Sequence, residues 1–344
     1  MSLPQSSSSP RQASRFQRHL IAIVGLLISA VSLYLVFRNT DWRVFWGGLA
    51  NARLSFILLR YLILIVALLI QGLRWRVLTR GKLGVVDGFW LIGIGFLFNN
   101  ILPVRLGEGI RLLLASRRQH MSLTVATATI LVERLLDVAT LLVLLGALLP
   151  VLNLPAWMVT TAMLMGGAAV GGLAFLLVLQ RHPVILSRIG LPLLSRLLGE
   201  QTADRILAPI LDGVASIPGT KTFLAAFGLS LASWLISGVG AWMLMLALWD
   251  YPPPVGLGLL VTLSAGFGVA VPSAPGGIGP YEAAVVASLT FLNYGGDASR
   301  LFAVMLHLTA LTLTDGLGAI GLIREGLNPF VILRDARALQ NHPK

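Results

Sequence analysis

The chain has no cysteine among its 344 residues. That absence excludes disulfides, thiolate metal sites and cysteine nucleophiles. Charge is also scarce. Asp, Glu, Lys and Arg make up 12% of the residues, against roughly 25% in a soluble domain. The five histidines show no metal-ligand spacing and no nucleotide-binding motif occurs, so neither a metal nor a cofactor is expected. What remains is apolar: 56% of residues, with a mean hydropathy of +0.84. A water-soluble fold cannot hide that much apolar surface, and several stretches exceed the ~18 apolar residues that mark a membrane span. The sequence therefore predicts an all-α integral membrane protein.

Residues 1–18 are rich in Ser and Pro and are expected to form a disordered tail. A single transmembrane domain then covers residues 19–323, followed by a short tail over 324–344. Full crossings are predicted at Leu20–Phe37, Leu54–Leu73, Leu123–Leu149, Trp157–Leu179, Phe223–Trp249 and Leu301–Ile323. The first has no small-residue cleavage site after it and reads as a retained anchor. Val85–His120 and Val255–Asn293 differ, because Pro and Gly interrupt each near its middle. Each reads as a re-entrant pair of short helices, a break tolerated at membrane depth only where protein or a wet cavity satisfies the backbone. The architecture expected is about six full transmembrane helices plus two re-entrant broken-helix hairpins.

Basic residues set the orientation. Arg11, Arg15 and Arg18 precede the first span, and Arg74, Arg76, Arg80 and Lys82 follow the second. Of the 26 basic residues, 20 fall on that same side if each broken region enters and leaves by one face. Both termini are then cytoplasmic and the protein sits in the inner membrane. Arg38, Arg43, Arg53 and Arg300 fall on the opposite side, and Arg60, inside its span, is expected to snorkel. The net charge of +12 becomes a rim facing anionic headgroups, not a nucleic-acid surface. The loop over 181–222 carries apolar residues at helical spacing. It reads as helices lying in the interface or as a cytoplasmic lid.

The broken regions share a pattern. Pro103-Val-Arg-Leu-Gly107-Glu108 in the first answers Pro275-Gly-Gly-Ile-Gly279-Pro-Tyr-Glu282 in the second. Asp137 and Asp315 hold corresponding places in the spans downstream. Charge-based topology makes residues 54–149 and 223–323 inverted copies, an arrangement that in transporters places the substrate site near the midplane.

Ionisable groups inside spans are costly and call for a reason. Glu133 and Asp137 share one helix face, and Arg134 reaches Asp137 three residues on. These groups are either an internal ion-pair network or, paired with Arg105 or Arg111, the lining of a headgroup path. Asn99 and Asn100 cap the first break or touch substrate. Arg105 suits a phosphate, which guanidinium binds bidentately, but a rim arginine at that place would snorkel. Gly276, Gly277 and Gly279 permit a tight turn with positive φ, and Glu282 closes it or faces the cavity. His307 reads as a satisfied core residue. No catalytic acid, base or metal set is visible, so the chain is expected not to be an enzyme.

The segments NNILPVRLGEGIRLLLASRR, LVERLLDVATLL and PSAPGGIGPYEAAVVASL, in that order, resemble the lysylphosphatidylglycerol synthase transmembrane region. That flippase-like family forms the membrane half of the multiple peptide resistance factor, stands alone, or is fused to some archaeal glycosyltransferases. The resemblance runs from about Leu54 to Ile323. It implies lipid translocation, with Asn99, Pro103, Arg105, Gly107, Glu108, Glu133, Arg134, Asp137, Pro275, Gly276, Gly277, Gly279 and Glu282 at matching positions. About twenty residues follow Ile323, so an aminoacyl-transfer domain is not expected. His307 and Asp315 depart from the family pattern. The function expected is a lipid flippase or scramblase moving a phospholipid or polyprenyl-phosphate-linked headgroup across the inner membrane. The alternatives are a membrane-embedded lipid-modifying transferase and a non-transporting scaffold for a lipid or cell-envelope enzyme. The partners implied are membrane lipids with anionic or phosphate-bearing headgroups, together with a lipid-modifying or glycosyltransferase enzyme. The oligomeric state is left open.

Overall fold

The computed structural model describes residues 15–102, 106–119, 123–148 and 219–328, with isolated positions between 167 and 208. Every regular element among the described residues is helical, as apolar segments must be where no water can satisfy the backbone. Helix α1 (Arg15–Phe37) is followed by α2 (Trp42–Ala50), bent 86° away from it. The Asp41 carboxylate caps α2 by accepting the Arg43 N–H at 2.9 Å, and Phe37 stacks on Trp42 across the bend. Sequence periodicity does not announce this second helix.

The other elements are α3 (Leu54–Leu78), α4 (Val85–Ile101), α5 (Gly107–Gln119), α6 (Leu123–Leu148), α7 (Gly219–Leu248), α8 (Val255–Ala270), α9 (Pro280–Phe291) and α10 (Asp297–Arg324). Helices α3, α7 and α10 are long and apolar enough to cross a membrane, with the bent α1–α2 pair as a fourth candidate. Helix α6 has 26 residues, about 39 Å at 1.5 Å per residue, and carries Glu133, Arg134 and Asp137 along its length. The span expected over Trp157–Leu179 and most of the 181–222 loop lie outside the described residues.

Both breaks begin for the same local reason. Leu102 precedes Pro103 and Val271 precedes Pro272, and a residue before proline is pushed out of the helical region. Leu102 (φ −93°, ψ 140°) and Val271 (φ −69°, ψ 133°) are accordingly extended. Beyond each break the chain packs back on the arm it left, α5 on α4 and α9 on α8. Each broken region is thus a helical hairpin. Glycine makes the close return possible. A Cβ on Gly95 would lie 2.6 Å from Arg111, and one on Gly268 would lie 2.6 Å from the Pro280 carbonyl. The second break is the longer one and contains a 3-10 turn, Pro275–Gly277.

Helix α3 packs along α7, and α4 lies against α10. One apolar core gathers Trp75, Leu83, Ile94 and Ile110 from the α3–α5 side. Another gathers Leu244, Val261, Val285 and Phe302 from α7 to α10. The outward surface is apolar as well. Leu54, Leu58, Leu62, Val66, Leu69 and Leu73 form an exposed stripe along α3, the inside-out pattern of a helix that faces lipid.

Candidate functional site

Two polar clusters sit in this apolar frame, one beside each break. The first draws on four helices. Arg74 of α3 donates from Nη1 to Asp137 Oδ1 of α6 at 2.5 Å and to Ser230 Oγ of α7 at 2.6 Å. Its Nη2 lies 3.8 Å from Glu133 Oε1. Arg111 of α5 donates to Glu133 Oε2 at 3.1 Å, and its guanidinium rests 4.2 Å from the centre of the Trp75 ring. At the edge, Arg134 pairs with Glu108 at 2.9 Å and lies 3.8 Å from Asp137.

Exposure grades across the cluster. Arg74, Arg111 and Glu133 are buried, whereas the Arg134 side chain is 50% exposed. Three guanidinium cations face three carboxylates, so the group is close to neutral and its burial is affordable. It is not saturated, however. Arg74 Nε, Arg111 Nε and Glu133 Oε1 are buried without a hydrogen-bond partner. Buried polar groups normally find partners, so three orphans in one cluster mark a place where further polar atoms fit.

Asn99 closes the first break, its Oδ1 accepting the Gly107 N–H at 2.8 Å. Asn100 does different work. Its Nδ2 donates to Asp315 Oδ1 at 2.7 Å and to Thr314 Oγ1 at 3.3 Å, tying α4 to α10. Asp137 and Asp315 therefore hold unlike partners, an arginine and an amide. Pro103 and Arg105 lie outside the described residues.

At the second break Gly276, Gly277 and Gly279 have φ of 74°, 77° and 101°, values open to glycine and costly for other residues. Pro275 opens the 3-10 turn. Glu282 Oε2 accepts the Gly279 N–H at 2.7 Å, and its Oε1 faces His307 Nδ1 at 2.7 Å. His307 Nε2 meets the Gly276 carbonyl at 3.0 Å. Tyr281 stacks on the imidazole, centroids 3.9 Å apart. The two breaks approach each other here, since a Cβ on Gly276 would lie 3.6 Å from the Asn100 carbonyl.

Two expectations are corrected. Arg60 does not snorkel. It is 2% exposed and donates to Thr309 Oγ1 at 2.6 Å and the Leu306 carbonyl at 2.9 Å, because α10 offers it acceptors at depth. Arg74 is not part of a cytoplasmic rim. The apolar run stops at Leu73, but the helix continues to Leu78 and carries Arg74 into the bundle. The signal available was the unpaired need of Glu133 and Asp137 for a cation. Ser230 and Trp75 gave no such sign.

Residues 22–317 match the family described as the lysylphosphatidylglycerol synthase TM region. The chain is also 24% identical to the glycosyltransferase AglD of Haloferax volcanii, over 344 residues covering 89% of this chain and 55% of the relative. It thus spans about half the length of that protein. The expectation that the chain is not an enzyme is contradicted by this relative, which is itself named a glycosyltransferase.

Proposed function

We propose that this chain, which belongs to the lysylphosphatidylglycerol synthase transmembrane-region family, moves the phosphate-bearing headgroup of a membrane lipid between leaflets. The lipid is a phospholipid or a polyprenyl phosphate. Its headgroup passes the buried Arg74–Arg111–Glu133–Asp137 cluster while its tails stay in the bilayer. In this reading the chain lies in the inner membrane with both termini cytoplasmic. Residues 54–149 and 223–323 are inverted repeats, and the two hairpins re-enter from opposite faces. The observation that carries it is the pair of orphaned donors, Arg74 Nε and Arg111 Nε. Guanidinium N–H groups in a dry site bind phosphate oxygens strongly, and Arg134 with Glu108, half-exposed beside them, provides the mouth.

Protein reconstituted in liposomes should redistribute a labelled anionic phospholipid faster than empty vesicles do. Asp137→Asn, which keeps the side-chain shape, should slow this by about tenfold, the kinetic equivalent of one charge-assisted hydrogen bond. Equal rates in all three preparations would sink the reading.

A second reading is favoured by the glycosyltransferase name of the relative. The same cluster would hold a lipid phosphate while a sugar is transferred to it, in this chain or in a partner enzyme. Incubation with nucleotide-sugar or lipid-phosphate sugar donors, followed by mass spectrometry of the lipids, distinguishes it by a new glycolipid.

A further inference from the structure

The second cluster has no part in headgroup binding as proposed above, yet its hydrogens can be counted. The Gly276 carbonyl only accepts, so His307 Nε2, 3.0 Å away, must carry a hydrogen. The 2.7 Å contact between His307 Nδ1 and Glu282 Oε1 also needs a hydrogen on one of the two atoms. The remaining carboxylate oxygen is occupied, accepting from the Gly279 N–H. The pair therefore holds two hydrogens across these contacts and is neutral overall, as imidazolium with carboxylate or as imidazole with carboxylic acid. With one hydrogen fewer it carries a negative charge, and two lone pairs face each other at 2.7 Å in a buried site. That arrangement repels, because Coulomb energies at low dielectric are several-fold those in water.

These contacts hold the turn itself. Gly276 lies inside the 3-10 segment and Gly279 just beyond it, and each is tied to the Glu282–His307 pair, one through its carbonyl and one through its N–H. The turn is also tied to α1, the Ala274 N–H donating to Ser29 Oγ at 2.8 Å. Next to it, between α1, α8 and α9, lies an apolar groove of about 330 Å³ lined by Ile28, Phe267, Val271 and Ala284 among others. Its apolar lining suits an acyl chain.

We propose that Glu282 and His307 form a one-proton latch, and that release of the proton to water frees the 275–279 turn and opens the second break to lipid from this groove. The groups around the pair suit the role. Tyr281 of α9 covers the imidazole face. Arg60 of α3, bonded to Thr309 and Leu306 on either side of His307, is a buried cation anchored to this part of α10. Asp315, two turns along α10, is within electrostatic reach of His307 and is held by Asn100. Tyr61 of α3 bonds Thr312, and α8 presents no ionisable residue. The opening step rests on headgroup translocation, but the hydrogen count does not.

The test is amide hydrogen exchange of the full-length protein in lipid nanodiscs, from about pH 5 to about pH 10 to bracket the ordinary histidine range. After correction for intrinsic rates, peptides covering 275–283 should be protected at low pH. Above a midpoint their opening constant should rise about tenfold per pH unit, the slope for one released proton. Glu282→Gln presents an amide N–H to His307 Nδ1 and a carbonyl to Gly279, reproducing the hydrogen bonds of the neutral pair while His307 is plain imidazole, so it should stay protected where the wild type opens. A flat wild-type profile, or identical profiles for wild type and E282Q, overturns the latch. The wild-type profile decides the matter even if the variant folds poorly. In liposomes, lipid movement by the wild type should depend on the sign of an imposed pH gradient, and movement by E282Q should not. A proton-dependent profile with no lipid movement under any gradient upholds the latch and rejects headgroup translocation. Movement that is indifferent to the gradient, with a flat exchange profile, does the reverse.

Discussion

The two breaks begin alike and are held in different ways. Each starts at a residue forced out of the helix by a following proline, and each returns past a glycine, Gly95 or Gly268, that lets the second arm close on the first. At the first break the polar groups come from four helices and remain partly unpaired. At the second they come from the turn and from α9 and α10, and Glu282 and His307 find partners for their polar atoms. One hairpin is therefore built on long-range charge with buried atoms left unpaired, while the other is built around turn geometry with its polar atoms paired. The same form of break in the backbone can be secured by quite different chemistry.

Substitutions at the two breaks sharpen that contrast. Glu133→Ala should have the largest effect, since it strips Arg111 of its carboxylate and leaves two buried guanidinium groups under-paired. The cost should be about 3–5 kcal/mol, read as loss of thermal stability in detergent. A small loss would mean that the cluster is hydrated and not a dry ionic joint. Gly279→Ala tests the other mode. With φ at 101° and a Cβ that would come within 2.6 Å of the Ser29 carbonyl, it should cost about 1–3 kcal/mol. The change should loosen α9 from α1, which exchange mapping would localise to those helices, and leave the first break untouched. Arg134→Ala should matter least, at or below about 1 kcal/mol, because its pair with Glu108 is half-exposed and screened. The residual effect should shrink further in high salt. A cost comparable to that of Glu133→Ala would show that the mouth is closed to water.

Much of this architecture is legible in the amino acids, for identifiable reasons. Apolar length announces α3, α7 and α10, and Pro-Gly clusters announce both breaks, because each is a local property. The roles of Asn99 and of the positive-φ glycines are likewise local. What escaped depends on distance. Arg74 and Asp137 are far apart in sequence, and no periodicity links them. Arg60 looked like a residue needing escape because the acceptors on Leu306 and Thr309 lie on another helix. The bend after Phe37 hides in a short polar step, Arg38-Asn-Thr-Asp, that could equally be a plain loop.

The lengths of α4 and α8 carry one more consequence. With 17 and 16 residues, each arm spans about 25 Å, some 5 Å less than the hydrocarbon thickness of an ordinary bilayer. In the arrangement proposed above, lipid beside α8, where Phe267 is exposed, would meet a wall that ends short, and the leaflets there would dimple toward one another. Such deformation costs only fractions of a kcal/mol per ångström, but it shortens the distance to be crossed and couples the protein to membrane elasticity. Stiffer or thicker bilayers should then slow it without altering a single side chain.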